Sequence, residues 1–177
     1  MNTLDNIGNL DSKINHARDR YVYQKDLTDH LDGITGDFTE LEILKIVLWK
    51  LNRYVEVDEC LRASINDLKR QYSTDAAKAV LVTLLGCHGI DLPMASAILR
   101  FAVPDHLQII DQRAYRILTG EKLKLTKSIE EKVRLYFEYI LLLKEKCHKY
   151  DIPFRKADRI LYELDKDANA DEKLTGY

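Results

Sequence analysis

The chain has 177 residues and a mass of 20.6 kDa, with 46% apolar residues. That is one domain's worth of sequence, able to build a core without a disulfide or metal staple. Only seven glycines and three prolines leave few tight turns, and 32% charged residues add solvent-facing surface, which argues against a β-sandwich or barrel and for long helices. The 27 basic and 29 acidic residues, net −2, create no global field that attracts nucleic acid, so a nucleic-acid binder of this composition must gather its cations on one face.

Residues 1–37 are the least regular part, with Asp-Asn, Gly-Asn, Asp-Gly and Thr-Gly-Asp punctuation around two short helix-compatible stretches. From position 38 helical periodicity takes over. Thr39 to Tyr54 places Leu41, Leu44, Leu48 and Leu51 at helical spacing, with Thr39 as N-cap and Glu42 as its capping-box partner. Asp58 to Tyr72 repeats the pattern through Leu61, Ile65 and Leu68. Ser73 or Thr74 then caps a more apolar helix through Ala76 to Leu85, which reads as central and buried.

After a break at Gly86 to Asp91, Asp91 as N-cap and Pro93 in the first turn launch a helix through Ala95 to Ala102. Val103 to Leu107 is the next turn, and Asp111 is the expected N-cap of a helix through Arg113 to Leu118 that Gly120 stops. A long helix from about Ser128 to Tyr150 presents Val133, Phe137, Ile140, Leu141 and Leu143 as its apolar side. A last helix starts at Asp151-Ile152-Pro153 and ends near Leu164, ahead of a polar tail. The expectation is an all-α, compact, single-domain bundle: an irregular segment at 1–37, a helical core at 38–166 and a polar tail at 167–177, with no linker dividing it.

Three widely spaced cysteines, Cys60, Cys87 and Cys147, contain no C-x-x-C pair, which argues against a disulfide framework, a zinc knuckle or a four-cysteine iron–sulfur cluster. No basic segment followed by an apolar one opens the sequence, and no run of 18 apolar residues occurs. The chain reads as soluble and cytoplasmic, without membrane, cofactor or metal.

The stretch from Leu84 to Leu118 carries the functional signal. A hairpin opening into a helix N-terminus exposes backbone N–H groups with partial positive charge, which bind phosphate without reading sequence. The elements here are Gly89-Ile90 in a hairpin, Ala95 as a small residue early in the following helix, and Asp111 at the start of the next, with Arg113 and Arg116 behind it. In these residues the sequence resembles the helix-hairpin-helix DNA glycosylases of the endonuclease III and adenine-mismatch type. The resemblance covers about 35 residues. It implies a helix-hairpin-helix motif, duplex DNA as partner, and base-excision repair by hydrolysis of the N-glycosidic bond, with Asp111 catalytic and Gly86, His88, Gly89, Ile90, Asp91, Arg113 and Arg116 at the DNA. Breaking that bond develops positive charge on the sugar, which a carboxylate stabilises while it orients water. Trp49, Tyr54, His106 and Tyr115 are candidates for the base pocket or wedge.

The sequence departs from the family pattern at three points. Asp91 stands where the hairpin's second glycine is found, so its carboxylate can cap the helix and repel phosphate. Pro93 stands where bifunctional members carry the Schiff-base lysine, so the implied enzyme is monofunctional. The iron–sulfur cysteines are missing.

Each residue also has a plainer reading. Asp111 and Asp91 serve as N-caps, Gly86 and Gly89 as turn glycines at positive φ, Trp49 as core, and Cys87 as a small buried hydrophobe. Between positions 113 and 127, Arg113, Arg116, Lys122, Lys124 and Lys127 face one acid, Glu121, with Arg100 upstream. That is either a phosphate-tracking edge or an ordinary solvated surface. Arg155, Lys156 and Arg159 form a weaker cluster interrupted by Asp158. The functional alternatives to a glycosylase are a catalytically silent nucleic-acid-binding module and a helical protein-interaction domain.

Overall fold

The computed structural model describes residues 24–50, 55 and 57–171. All regular structure among them is helical, as composition suggested. The chain divides into two compact units, Met1–Tyr54 and Val55–Tyr177, and neither proline nor glycine marks the boundary.

In the first unit α1, Lys25–Asp32, packs on α2, Glu40–Lys50. The capping box forms as read: Thr39 N–H donates to Glu42 Oε2 at 2.6 Å and Glu42 N–H to Thr39 Oγ1 at 3.3 Å. Two orphan donors are satisfied reciprocally, and these bonds hold the Glu42 carboxyl below its ordinary range. Trp49 ties the two helices together through its indole N–H, which donates to Thr28 Oγ1 at 3.0 Å.

The second unit runs through α3, Glu59–Arg70, α4, Thr74–Gly86, α5, Leu92–Ala102, α6, Gln112–Thr119, α7, Ile129–Lys149, and a 3-10 turn, Phe154–Lys156, into α8, Ala157–Ala168. Local chemistry sets the starts. Asp58, Ser73, Asp111 and Ser128 each accept the N–H three residues on, at 2.7, 3.1, 2.7 and 3.2 Å. Gly120 ends α6 in the left-handed region at φ 78°, which a Cβ makes costly.

Helix α4 packs against α3, α5 and α7, burying Ala77, Val80, Leu81 and Leu84. It is central but not buried all round, since Val82 on its other side is 45% exposed. The core around it includes Leu68, Leu92, Leu99, Leu107, Ile110 and Leu143. Burying each such side chain contributes about 1.5–3 kcal/mol.

The long helix follows the expected stripe except at one position. Ile140 and Leu143 are buried and Val133 and Phe137 pack half-buried against the core, whereas Leu141 is 69% exposed, and Tyr136, Tyr139 and Cys147 complete the inward face. Two tyrosines took the inward positions because backbone acceptors wait there for their hydroxyls, which makes a polar tip affordable in a core. The last helix also continues past Leu164 to Ala168, and Asp165, just beyond the expected helix end, is fully buried. Arginines on α6 supply its countercharge.

Candidate active site around Asp111

The segment Leu107 to Ile110 delivers Asp111 to the start of α6. It is pinned from two helices. Tyr136 and Tyr139 of α7 donate to the carbonyls of Gln108 and Ile109, each at 2.9 Å, and Ile110 N–H donates to Ser96 Oγ of α5 at 3.2 Å. The Gln108 side chain turns back to Pro104, its amide donating to that carbonyl at 2.7 Å. An extended stretch that would otherwise leave buried carbonyls unpaired is thus satisfied by side chains, and the aspartate that follows is held in place.

Asp111 is half-buried and accepts the Ala114 N–H at 2.7 Å. Burial pushes its carboxyl above the ordinary range; the Ala114 and Arg113 N–H groups oppose that, and the charges of Asp158 and Asp165 reinforce it. Among the described residues no cation lies within ion-pair distance of it.

The arginines on the same helix are otherwise engaged. Arg116 is buried and forms a fork with Asp165, Nε to Oδ1 at 2.8 Å and Nη2 to Oδ2 at 2.7 Å. Arg113 adds a contact to Oδ2 at 3.2 Å and lies over the Tyr162 ring. Asn169 donates to Oδ1 at 2.8 Å. Arg116 holds the Asp165 carboxyl below its usual range, with Asn169 and Arg113 adding to the effect against burial. Arg116 therefore packs α6 on α8 and does not present its guanidinium to a phosphate, and Arg113 reaches solvent only in part. Arg100 is buried as well, donating to the Arg155 carbonyl at 3.0 Å with Asp158 Oδ2 at 3.6 Å.

The turn between α4 and α5 carries the other candidates. Gly89 adopts φ 82°, which suits glycine alone, while Gly86 ends α4 without a positive φ. Gly86, His88 and Gly89 are exposed, and Ile90 is inside the core, with 6% of its surface exposed. Cys87 is half-buried, its thiol directed at the Thr83 carbonyl. Asp91 is the N-cap of α5: Oδ1 accepts the Leu92 N–H at 2.6 Å, and Lys132 of α7 places Nζ 2.7 Å from the same oxygen. The Asp91 carboxylate is thus neutralised by a lysine from a different helix.

The aromatic candidates separate. His106 is stacked face to face on Tyr72, centroids 3.9 Å apart, so that face of its ring is covered. Trp49 belongs to the first unit, tied to Thr28. Tyr54 lies outside the described residues. Tyr115, half-buried on α6, lines a cleft of about 470 Å³ with Glu121, Lys122 and Lys124.

Sequence reasoning missed Asp165, Tyr136 and Tyr139. A signal for Asp165 exists: Ala157, Leu161 and Asp165 fall at intervals of four, which puts a carboxylate on the buried stripe of an amphipathic helix. Among the described residues no cluster of three metal-ligating side chains occurs and no helix is long and apolar enough to cross a membrane. No protein-family model, curated protein or solved structure matches the chain.

Proposed function

We propose that this chain is a helix-hairpin-helix DNA glycosylase-like protein that hydrolyses the N-glycosidic bond of a damaged or mispaired base in duplex DNA. The observation that carries the reading is the environment of Asp111, a half-buried carboxylate with no cation beside it among the described residues, fixed at a helix start by a segment that two tyrosines and a serine hold. An anion in partly desolvated surroundings has a stronger field on a neighbouring positive charge than one in water. That is what the cationic sugar of a departing base requires. The same carboxylate orients the water that attacks the sugar carbon as the base leaves.

The hairpin contributes backbone N–H groups around Gly89, and Lys132 cancels the charge by which Asp91 would repel phosphate. With Pro93 where a Schiff-base lysine would stand, the reaction is hydrolysis alone.

The test is base release from duplexes carrying a panel of lesions and mismatches, scored by alkaline cleavage at the abasic site. Asp111→Asn keeps a good N-cap, so the fold is retained. Release that disappears in this variant supports the reading, and release that persists overturns the assignment of Asp111.

A second reading, a helical protein-interaction domain, is favoured by α2, where Leu41, Ile43, Leu44, Val47 and Leu48 are all exposed. No base release and no affinity for DNA would move the assignment there.

A further inference from the structure

Once Arg113 and Arg116 are assigned to Asp165, the cations left in the 113–127 stretch lie beyond the end of α6. Lys122, Lys124 and Lys127 are exposed on the loop between Gly120 and Ser128, and none of the three forms an ion pair with a described residue. The loop is held in place. Gln112, next to Asp111, clamps Leu123 with two hydrogen bonds, its amide donating to the Leu123 carbonyl at 2.9 Å and its carbonyl accepting the Leu123 N–H at 3.1 Å. Leu123 is buried, so the lysines on either side of it are carried on a fixed backbone at the end of α6.

Two clefts meet at Lys124. One is the cleft lined by Tyr115, Glu121 and Lys122. The other, of about 150 Å³, is lined by Thr126, Glu131, Lys132, Arg134 and Leu135 as well as Lys124. Lys132 is also the residue that reaches Asp91 at the hairpin. A path therefore runs from the Asp91–Lys132 pair past Lys124 to Lys122, whose ammonium groups are the unpaired cations along it, and ends on an aromatic ring one helical turn beyond Asp111. Cations at intervals with an aromatic face at one end match a sugar–phosphate backbone with a stackable base.

We propose that this path is the DNA-strand track: Lys124 and Lys122 contact successive phosphates, Tyr115 stacks on a flipped-out base, and Gln112 positions the loop. The assignment rests on the reading of the chain as a DNA-binding protein, and it names the binding residues that the sequence pattern had placed on Arg113 and Arg116.

The test uses the full chain and a fluorescent 20-base-pair duplex carrying one unpaired, extrahelical base, with anisotropy titrations over a series of KCl concentrations. Lys122→Ala/Lys124→Ala removes two phosphate contacts, so the slope of log affinity against log salt becomes shallower by about 0.9 for each contact. A control with the same loss of charge, Lys69→Ala/Lys149→Ala, changes the slope little. Tyr115→Leu weakens binding without altering the slope, because stacking releases no counterions. Gln112→Ala keeps both lysines but frees the loop, and weakens binding relative to the wild type. If the two lysine doubles behave alike, or if Gln112→Ala binds as the wild type does, the track is wrong while the DNA-binding reading stands. If the wild type shows no salt-dependent affinity for the duplex, both fall together.

Discussion

Asp91 and Asp111 open two consecutive helices, and both accept a backbone N–H as N-caps, yet their surroundings make them different reagents. The Asp91 side chain is 54% exposed and has Lys132 at 2.7 Å. It is a solvated, neutralised carboxylate. Asp111 is half-buried, lacks a cation among the described residues, and has its carboxyl pushed up by burial. Residue type and capping role are the same, so what separates them is what the rest of the fold places nearby. The contrast depends on Asp165, which draws both arginines of α6 away from the Asp111 end of that helix.

Breaking that arrangement gives the largest expected effect. Asp165→Ala removes the buried carboxylate onto which Arg116 forks, a change that costs about 3–5 kcal/mol. Urea denaturation followed by circular dichroism measures it. A loss below 1 kcal/mol would mean that Arg116 finds another countercharge and that Asp165 is not what directs it.

The half-buried Asp111 and the buried Asp165 also predict opposite pH slopes. The folded-state pKa of Asp165 is depressed, so the stability it contributes is present above the unfolded value of about 3.9 and is lost as pH falls through the folded one. The folded-state pKa of Asp111 is raised, so the folded chain holds the proton more tightly and stability declines as pH rises from the unfolded value through the folded one. Relative to the wild type, Asp111→Asn therefore gains stability across that upper window, and Asp165→Asn loses the acid-side dependence. Denaturation midpoints between pH 3 and pH 7 compare them, and parallel profiles for the two variants would contradict the account.

Smaller effects sharpen the comparison. Tyr139→Phe leaves the Ile109 carbonyl unpaired two residues ahead of Asp111 and costs about 1–3 kcal/mol. Because it loosens the segment that delivers the carboxylate, the expected outcome under the proposed function is a decline in base release with duplex affinity kept. Lys132→Met removes a contact to a solvated carboxylate and changes stability by less than about 1 kcal/mol. Its effect falls on DNA instead, where the uncovered Asp91 charge weakens affinity.

The helix starts were legible because N-capping is a local transaction: Thr39, Asp58, Ser73, Asp111 and Ser128 each find their partner three residues away. The stop at Gly120 was legible for the same reason. What decides the site is not local. Arg116 meets Asp165 across 49 positions, and Tyr139 meets Ile109 across 30, so neither pairing has a trace in spacing. A basic helix following a catalytic-type aspartate reads as a phosphate contact until the buried carboxylate that claims it is known. The inward turn of α7 was misread on Leu141 because tyrosine ranks below leucine as a core residue, and only the waiting carbonyls of Gln108 and Ile109 reverse the order.

The most direct test of the central claim is the affinity for a duplex containing a cationic pyrrolidine analogue of the abasic sugar, compared with undamaged duplex, for the wild type and Asp111→Asn. The analogue carries the charge that develops in the transition state, which an enzyme built for that charge binds more tightly than its substrate. The account predicts a strong preference for the analogue in the wild type that Asp111→Asn abolishes while affinity for undamaged duplex is kept. Equal affinity for the two duplexes, or a preference that survives in Asp111→Asn, would contradict it.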